Sequence, residues 1–233
     1  MGWSRNSVEP WMKERKVISI RAFSETDACE LPHGWEKPNE FNLDMIVVKD
    51  GIEYTTFTKV GYQVAPLDVR PMEEFKEYYD GLEEGTTIVG YGSSKWDLPL
   101  IFSKTDTSLR EDLFYYDLMD EVHDATAEHY ESYGRRIPLS GLAATNKINQ
   151  HIIPLLGVIT KPLKLISEWR YGNRSKVIKN LMADTVVIAK LVWTVEKEES
   201  LKIRDDRTDK LVRINLPWHH SNTSSEDPVE TSE

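Results

Sequence analysis

Residues Val177 to Leu191 constrain this chain more than any other stretch, because they form an apolar helical pattern interrupted by a carboxylate. Val177, Leu181, Asp184, Ile188 and Leu191 recur at steps of four, three, four and three, which places them on one face of a helix. An aspartate on a core-facing stripe is costly unless it is paired, protonated or bound to a metal. Two readings follow from this helix alone. Asp184 closes a salt bridge, or it joins other carboxylates around a cation.

The rest of the chain supplies strands first and helices later. Val17 to Phe23 reads as a strand, and Phe41–Val48 and Ile52–Phe57 read as two more, with Lys49-Asp50-Gly51 as a hairpin signal between them. Pro71 suits a first helical turn, and Met72, Phe75, Tyr79 and Leu82 follow at helical spacing. Thr86–Tyr91 is a short apolar strand, and a serine of Ser93-Ser94 is expected to cap the segment beginning at Trp96-Asp97. Leu113–Tyr116 reads as a strand, residues 119 to 133 as an acidic helix, and Pro138-Leu139-Ser140 as the start of another helix running to Asn149. Ile152–Val158 is expected to connect this to the long helix, which follows Gly172 and ends near Glu196. Leu201–Arg204 and Leu211–Leu216 form a terminal hairpin. This order predicts an α/β or α+β domain built on a mixed sheet, spanning residues 16–220, with a loose lead-in at 1–15 and a disordered acidic tail at 221–233.

Composition excludes several functions. Cys29 is the one cysteine, so there is neither an internal disulfide nor a cysteine-rich zinc site. No apolar run approaches the ~18 residues of a membrane span, and the N-terminus lacks a signal-peptide pattern. The expectation is an intracellular protein, cytoplasmic or in the nucleoid or nucleus. A net charge of −10 argues against a passive nucleic-acid coat but is compatible with divalent metal in an acidic pocket. Between Ile159 and Asn180 the balance reverses: Lys161, Lys164, Arg170, Arg174, Lys176 and Lys179 stand against Glu168 alone. Such a run either follows a phosphate backbone or forms a solvated helix face.

Three acids lie just after a strand or on an apolar helical face: Glu25, Asp97 and Asp184. Two-metal phosphoryl chemistry needs carboxylates converging from separate elements, and oxygen donors suit magnesium or manganese. In its order of elements, residues 16 to 193 resemble the ribonuclease H-like, DEDD-type 3′–5′ exonuclease superfamily. Val89-Gly90-Tyr91-Gly92-Ser93-Ser94-Lys95-Trp96-Asp97-Leu98-Pro99 is similar to that family's second motif, a strand, a small polar turn and then aromatic-Asp-x-Pro. Tyr116-Asp117-Leu118 resembles the strand that follows, and Ala183-Asp184 with Ile188 and Leu191 resembles the third motif. The resemblance implies a ribonuclease H-like mixed β-sheet flanked by helices, with the hairpin added at the C-terminus. It further implies Glu25, Asp97 and Asp184 as catalytic metal ligands, Asp27 as a fourth, Mg2+ or Mn2+ as cofactor, and single-stranded DNA or RNA as substrate.

The sequence departs from that family at two points. Its first motif, Asp-x-Glu-Thr, is represented here by Glu25-Thr26 with Phe23 in the aspartate position, although Asp27 shares a face with Glu25 in an extended chain. Lys179 and Asn180 stand where the third motif has a Tyr or His. Asparagine is a poor general base, and a lysine would need a strongly lowered pKa to act as one. Two functions therefore follow: a divergent metal-dependent exonuclease, or a catalytically inactive module of the same fold that binds nucleic acid or scaffolds protein. The acidic helix at 119–131 offers a surface for a protein partner.

Overall fold

The computed structural model describes residues 16–59, 68–131, 133–148, 162–205, 207–216 and 218. The lead-in at 1–15, the connector at 152–158, Lys161 and the tail at 221–233 lie outside the described residues.

Alternation along the first strand, β1 (Val17–Phe23), sets the layers. Ile18, Ile20 and Ala22 enter one apolar cluster, and Phe23 enters another on the opposite face. β1 pairs antiparallel with β2 (Met45–Asp50), and β2 with β3 (Glu53–Thr58). The hairpin between them turns on Gly51-Ile52, because the ladder extends to Asp50↔Glu53. This is one residue later than Asp50-Gly51 suggests. Gly51 takes φ +56 at the first loop position, where a Cβ would be strained. β4 (Asp68–Pro71) lies parallel on the outer side of β3. On the other side of β1 run β5 (Thr87–Gly90) and β6 (Phe114–Asp117), both parallel. The sheet is thus six-stranded and mixed, in the order β4-β3-β2-β1-β5-β6.

One face of the sheet is covered by α1 (Phe75–Asp80) and α2 (Asp97–Thr105), whose Phe75, Tyr79, Leu98 and Ile101 pack on Ile18, Ile20, Ile46 and Phe57. Following α3 (Leu118–Tyr130), α4 (Leu139–Thr145) and α5 (Pro162–Arg170), the long helix α6 (Arg174–Glu198) crosses the other face. Its core from Val177 to Val195 is buried over far more than one stripe: Ile178, Met182, Val186 and Ala189 are buried as well as the expected face. The reason is position. This helix packs on β1 and β2 below, on α4 and α5 at its sides, and on the terminal hairpin at its end.

That hairpin, β7 (Ser200–Arg204) and β8 (Leu211–Asn215), forms a separate two-stranded sheet. Asn146, just past α4, fixes it in place by accepting from Lys202 N at 3.0 Å and donating to Lys202 O at 2.9 Å. The mixed sheet flanked by helices and the C-terminal hairpin expected from the sequence are both present. Among the described residues, no helix is long and apolar enough to cross a membrane.

Candidate functional site

The site arises where β1 and β5 part company. Their ladder covers only Val17 to Ser19 on β1, so from Ile20 onward that edge of β1 has no strand beside it among the described residues. In open sheets ligands bind outside the carboxyl ends of parallel strands at such a divergence. Here the chain leaves β5 through a turn that needs two glycines. A Cβ on Gly90 would overlap the Ser93 side chain, and Gly92 takes φ +71. The expected serine cap is not what holds this turn. Asp117, at the end of β6, accepts from Gly92 N at 2.7 Å and Ser94 N at 2.7 Å, and caps α3 through Met119 N at 3.0 Å. Ser94 Oγ instead donates to Asp120, and α2 starts without a side-chain cap.

The turn delivers Asp97 to the first position of α2, completely buried. Its Oδ1 accepts from Ala22 N at 2.8 Å, taking the strand hydrogen bond that β5 no longer supplies. Its Oδ2 accepts from Arg21 Nη1 at 2.8 Å. The same Nη1 donates to Tyr91 O at 3.1 Å. Arg21 Nε lies 3.8 Å from Asp184 Oδ2, on the α6 side. Asp97 and Asp184 are therefore brought together, with the Arg21 guanidinium between them.

Electrostatics follow from that arrangement. Burial raises the pKa of Asp184 to about 6, against the opposing pull of Arg21 and with a further push from Asp97. Asp184 Oδ1 is buried without a hydrogen-bond partner among the described residues. Burial also raises Asp97, while Arg21 and the Ala22 amide hold it back toward ionisation. Burial works against the charge on Arg21, but Asp97, Asp184 and Asp117 together outweigh it and hold the guanidinium protonated, above its already high ordinary value.

Glu25 and Asp27 go elsewhere. β1 ends at Phe23, so both lie beyond the strand that would have aimed them. Glu25 is engaged through its backbone: its N–H donates to Asp44 Oδ2 at 2.8 Å, and its carbonyl accepts from Arg170 at 3.0 Å. Asp27 caps a short 3-10 turn by accepting from Cys29 N at 3.0 Å. Of the third-motif positions, Lys179 is exposed, and buried Asn180 donates to the Lys176 carbonyl at 2.7 Å.

A divalent cation does not fit this donor set. Both Asp97 oxygens are already hydrogen-bonded, and a guanidinium occupies the space a shared cation would need. Among the described residues, no group of three or more His, Cys, Asp or Glu side chains is placed to hold a metal.

In front of Arg21 and Asp184 opens a cavity of about 380 Å³. Tyr91 and Trp96 line it, as does Trp35, which sequence reasoning missed. Trp35 is 51% exposed, stacks on Phe41 at 5.4 Å and meets Trp96 edge-on at 4.8 Å. Trp169 is buried against Phe23 and Arg174. The basic run is largely engaged within the fold: Lys176 pairs with Glu168, Arg170 with Glu30, and Arg174 lies over the Trp169 ring. Lys164 and Lys179 are exposed. The acidic helix packs Leu118, Val122 and Thr126 inward, and its Asp120 pairs with Lys95 at 2.6 Å.

No family model matches the chain, and no curated protein matches it. Among solved structures it is similar to exonuclease I, in a structure described as suggesting how processivity is achieved. The two are 12% identical, with a TM-score of 0.47, over 79% of this chain and 41% of that one. The chain spans about two fifths of that protein's length.

Proposed function

We propose that this chain is a catalytically inactive exonuclease-fold module in which an arginine stands in the place of the metal, and that it serves nucleic-acid binding. The observation carrying this reading is Arg21 between Asp97 and Asp184, 2.8 Å from the first and 3.8 Å from the second. A guanidinium supplies the positive charge that two buried carboxylates require, but it neither activates water nor stabilises a leaving oxygen as a pair of metals does. Binding rather than hydrolysis is what such a cleft retains: a lined cavity, four aromatic side chains at its walls (Phe23, Trp35, Tyr91 and Trp96) and exposed Lys164 and Lys179 nearby in sequence.

The test is an exonuclease assay on 5′-labelled single-stranded DNA and RNA with Mg2+ or Mn2+. No shortening of either strand is expected. Stepwise 3′ shortening that disappears in Asp97→Ala and Asp184→Ala would restore the metal-dependent enzyme, with Glu25 and Asp27 moving in to complete the ligand set.

A further inference from the structure

The cavity beside Arg21 is chemically unlike a phosphate site. Its floor is the guanidinium of Arg21 and the carboxylate of Asp184, with Asp97 buried behind. One positive charge against two carboxylates leaves no surplus to attract an anion. What remains is a hydrogen-bond donor and an acceptor side by side. The Arg21 Nη2 has no partner among the described residues, and Asp184 Oδ2 lies close to the same guanidinium. The wall is flat and aromatic. Trp35 is backed on Phe41, and its 51% exposure leaves indole surface open at the cavity. A volume of about 380 Å³ lies within the roughly 300–1,000 Å³ range of small-ligand pockets.

From these features we infer that the cavity binds an uncharged planar heterocycle of the nucleobase type, stacked on Trp35, with adjacent donor and acceptor atoms meeting Asp184 and Arg21, and without metal or phosphate recognition. A base edge such as that of adenine or cytosine places an amino donor next to a ring acceptor, which matches this floor. Stacking on an indole tolerates any base, so the polar pair sets the preference. The inference rests on the inactive reading above, because a metal pair at Asp97 and Asp184 would replace this floor with a phosphate site.

The test is a titration of the full chain with adenosine, cytidine, their 5′-monophosphates and free phenylalanine, followed by calorimetry and tryptophan fluorescence in EDTA and again in Mn2+. Saturable nucleoside binding is expected, equal in both buffers, with monophosphates binding no tighter. Trp35→Ala should weaken it by about tenfold. Ser140→Trp, at an exposed position on the cavity lining, should block it in a chain whose circular dichroism is unchanged. Short single strands that compete with nucleoside place the natural source of the base in a polynucleotide; strands that do not compete place it in free nucleosides, and both outcomes support the pocket. No saturable nucleoside binding, preference for monophosphates or phenylalanine, or binding untouched by both substitutions would overturn it. A failed titration leaves the arginine-for-metal reading standing, whereas metal-dependent strand cleavage would overturn that reading whatever the titration shows.

Discussion

Replacing Asp184 with asparagine should stabilise this protein. The carboxyl group has an ordinary pKa of 3.8 and is raised to about 6 in the folded chain, chiefly by burial. An acid whose pKa is raised on folding favours the folded state when protonated. Relative to that form, stability is fully present below pH 3.8 and is lost as the pH climbs through about 6. Each tenfold change in proton affinity corresponds to about 1.36 kcal/mol, so the ionised side chain costs about 3 kcal/mol at neutral pH. Asp184→Asn removes the charge and keeps the shape, while Arg21 retains Asp97 at 2.8 Å. The expected gain is therefore about 3 kcal/mol at pH 7.5, or roughly 6–12 °C in melting temperature for a chain of this size. The gain should vanish near pH 4. Urea unfolding of both proteins from pH 4 to pH 8 reads it directly. A variant that is less stable at pH 7.5, or a gain that is the same at every pH, would refute the reasoning: Asp184 would then be ionised and satisfied, as it is when it binds a cation.

Other substitutions probe the supporting parts. Arg21→Met should cost about 3–5 kcal/mol in denaturant unfolding, because it leaves buried Asp97 uncompensated, and adding Asp184→Asn should recover part of that loss. A loss below about 1 kcal/mol would mean the pair is not buried in solution. Asp117→Ala removes the acceptor of three backbone amides and should cost about 2–4 kcal/mol, with faster hydrogen exchange at Gly92, Ser94 and Met119; unchanged exchange there would show that the turn holds itself. Glu25→Ala should change stability by no more than about 0.5 kcal/mol, since among the described residues its hydrogen bonds are made by its backbone. A large loss on that substitution would reveal a side-chain partner in solution.

The fold was legible wherever periodicity carried it. The alternation of β1 and the apolar run of α6 are local patterns, and the structure follows them closely. The hairpin turn shifted by a residue because Gly51, with its positive φ, takes the first loop position. The cap before α2 was misread because the amides of that turn are satisfied by Asp117, 23 and 25 residues further along, a relation no local pattern encodes. Asp97 and Asp184 could be singled out because each interrupts an apolar context. Glu25 and Asp27 lie just past a strand end that was read correctly at Phe23, but a linear Glu-Thr likeness carries no information about where side chains go once the strand has stopped, and there Glu25 is engaged through its backbone and Asp27 caps a 3-10 turn. Arg21 left a signal of the same kind as Asp184, a lone charge in Val17–Phe23, and a charge there demands a partner as surely as one on a helix stripe. Its partners, 76 residues away on α2 and far along on α6, come together only through the divergence of β1 and β5.

Whether Arg21 holds the place of a divalent cation is read by a melting-temperature titration with Mn2+. The unsubstituted chain is expected to show no rise, while Arg21→Asp, which exchanges the resident cation for a third carboxylate, should melt lower in EDTA and regain stability as Mn2+ is added. A clear rise in the unsubstituted chain that is abolished by Asp184→Ala would contradict it, and would mean that the guanidinium gives way to metal in solution.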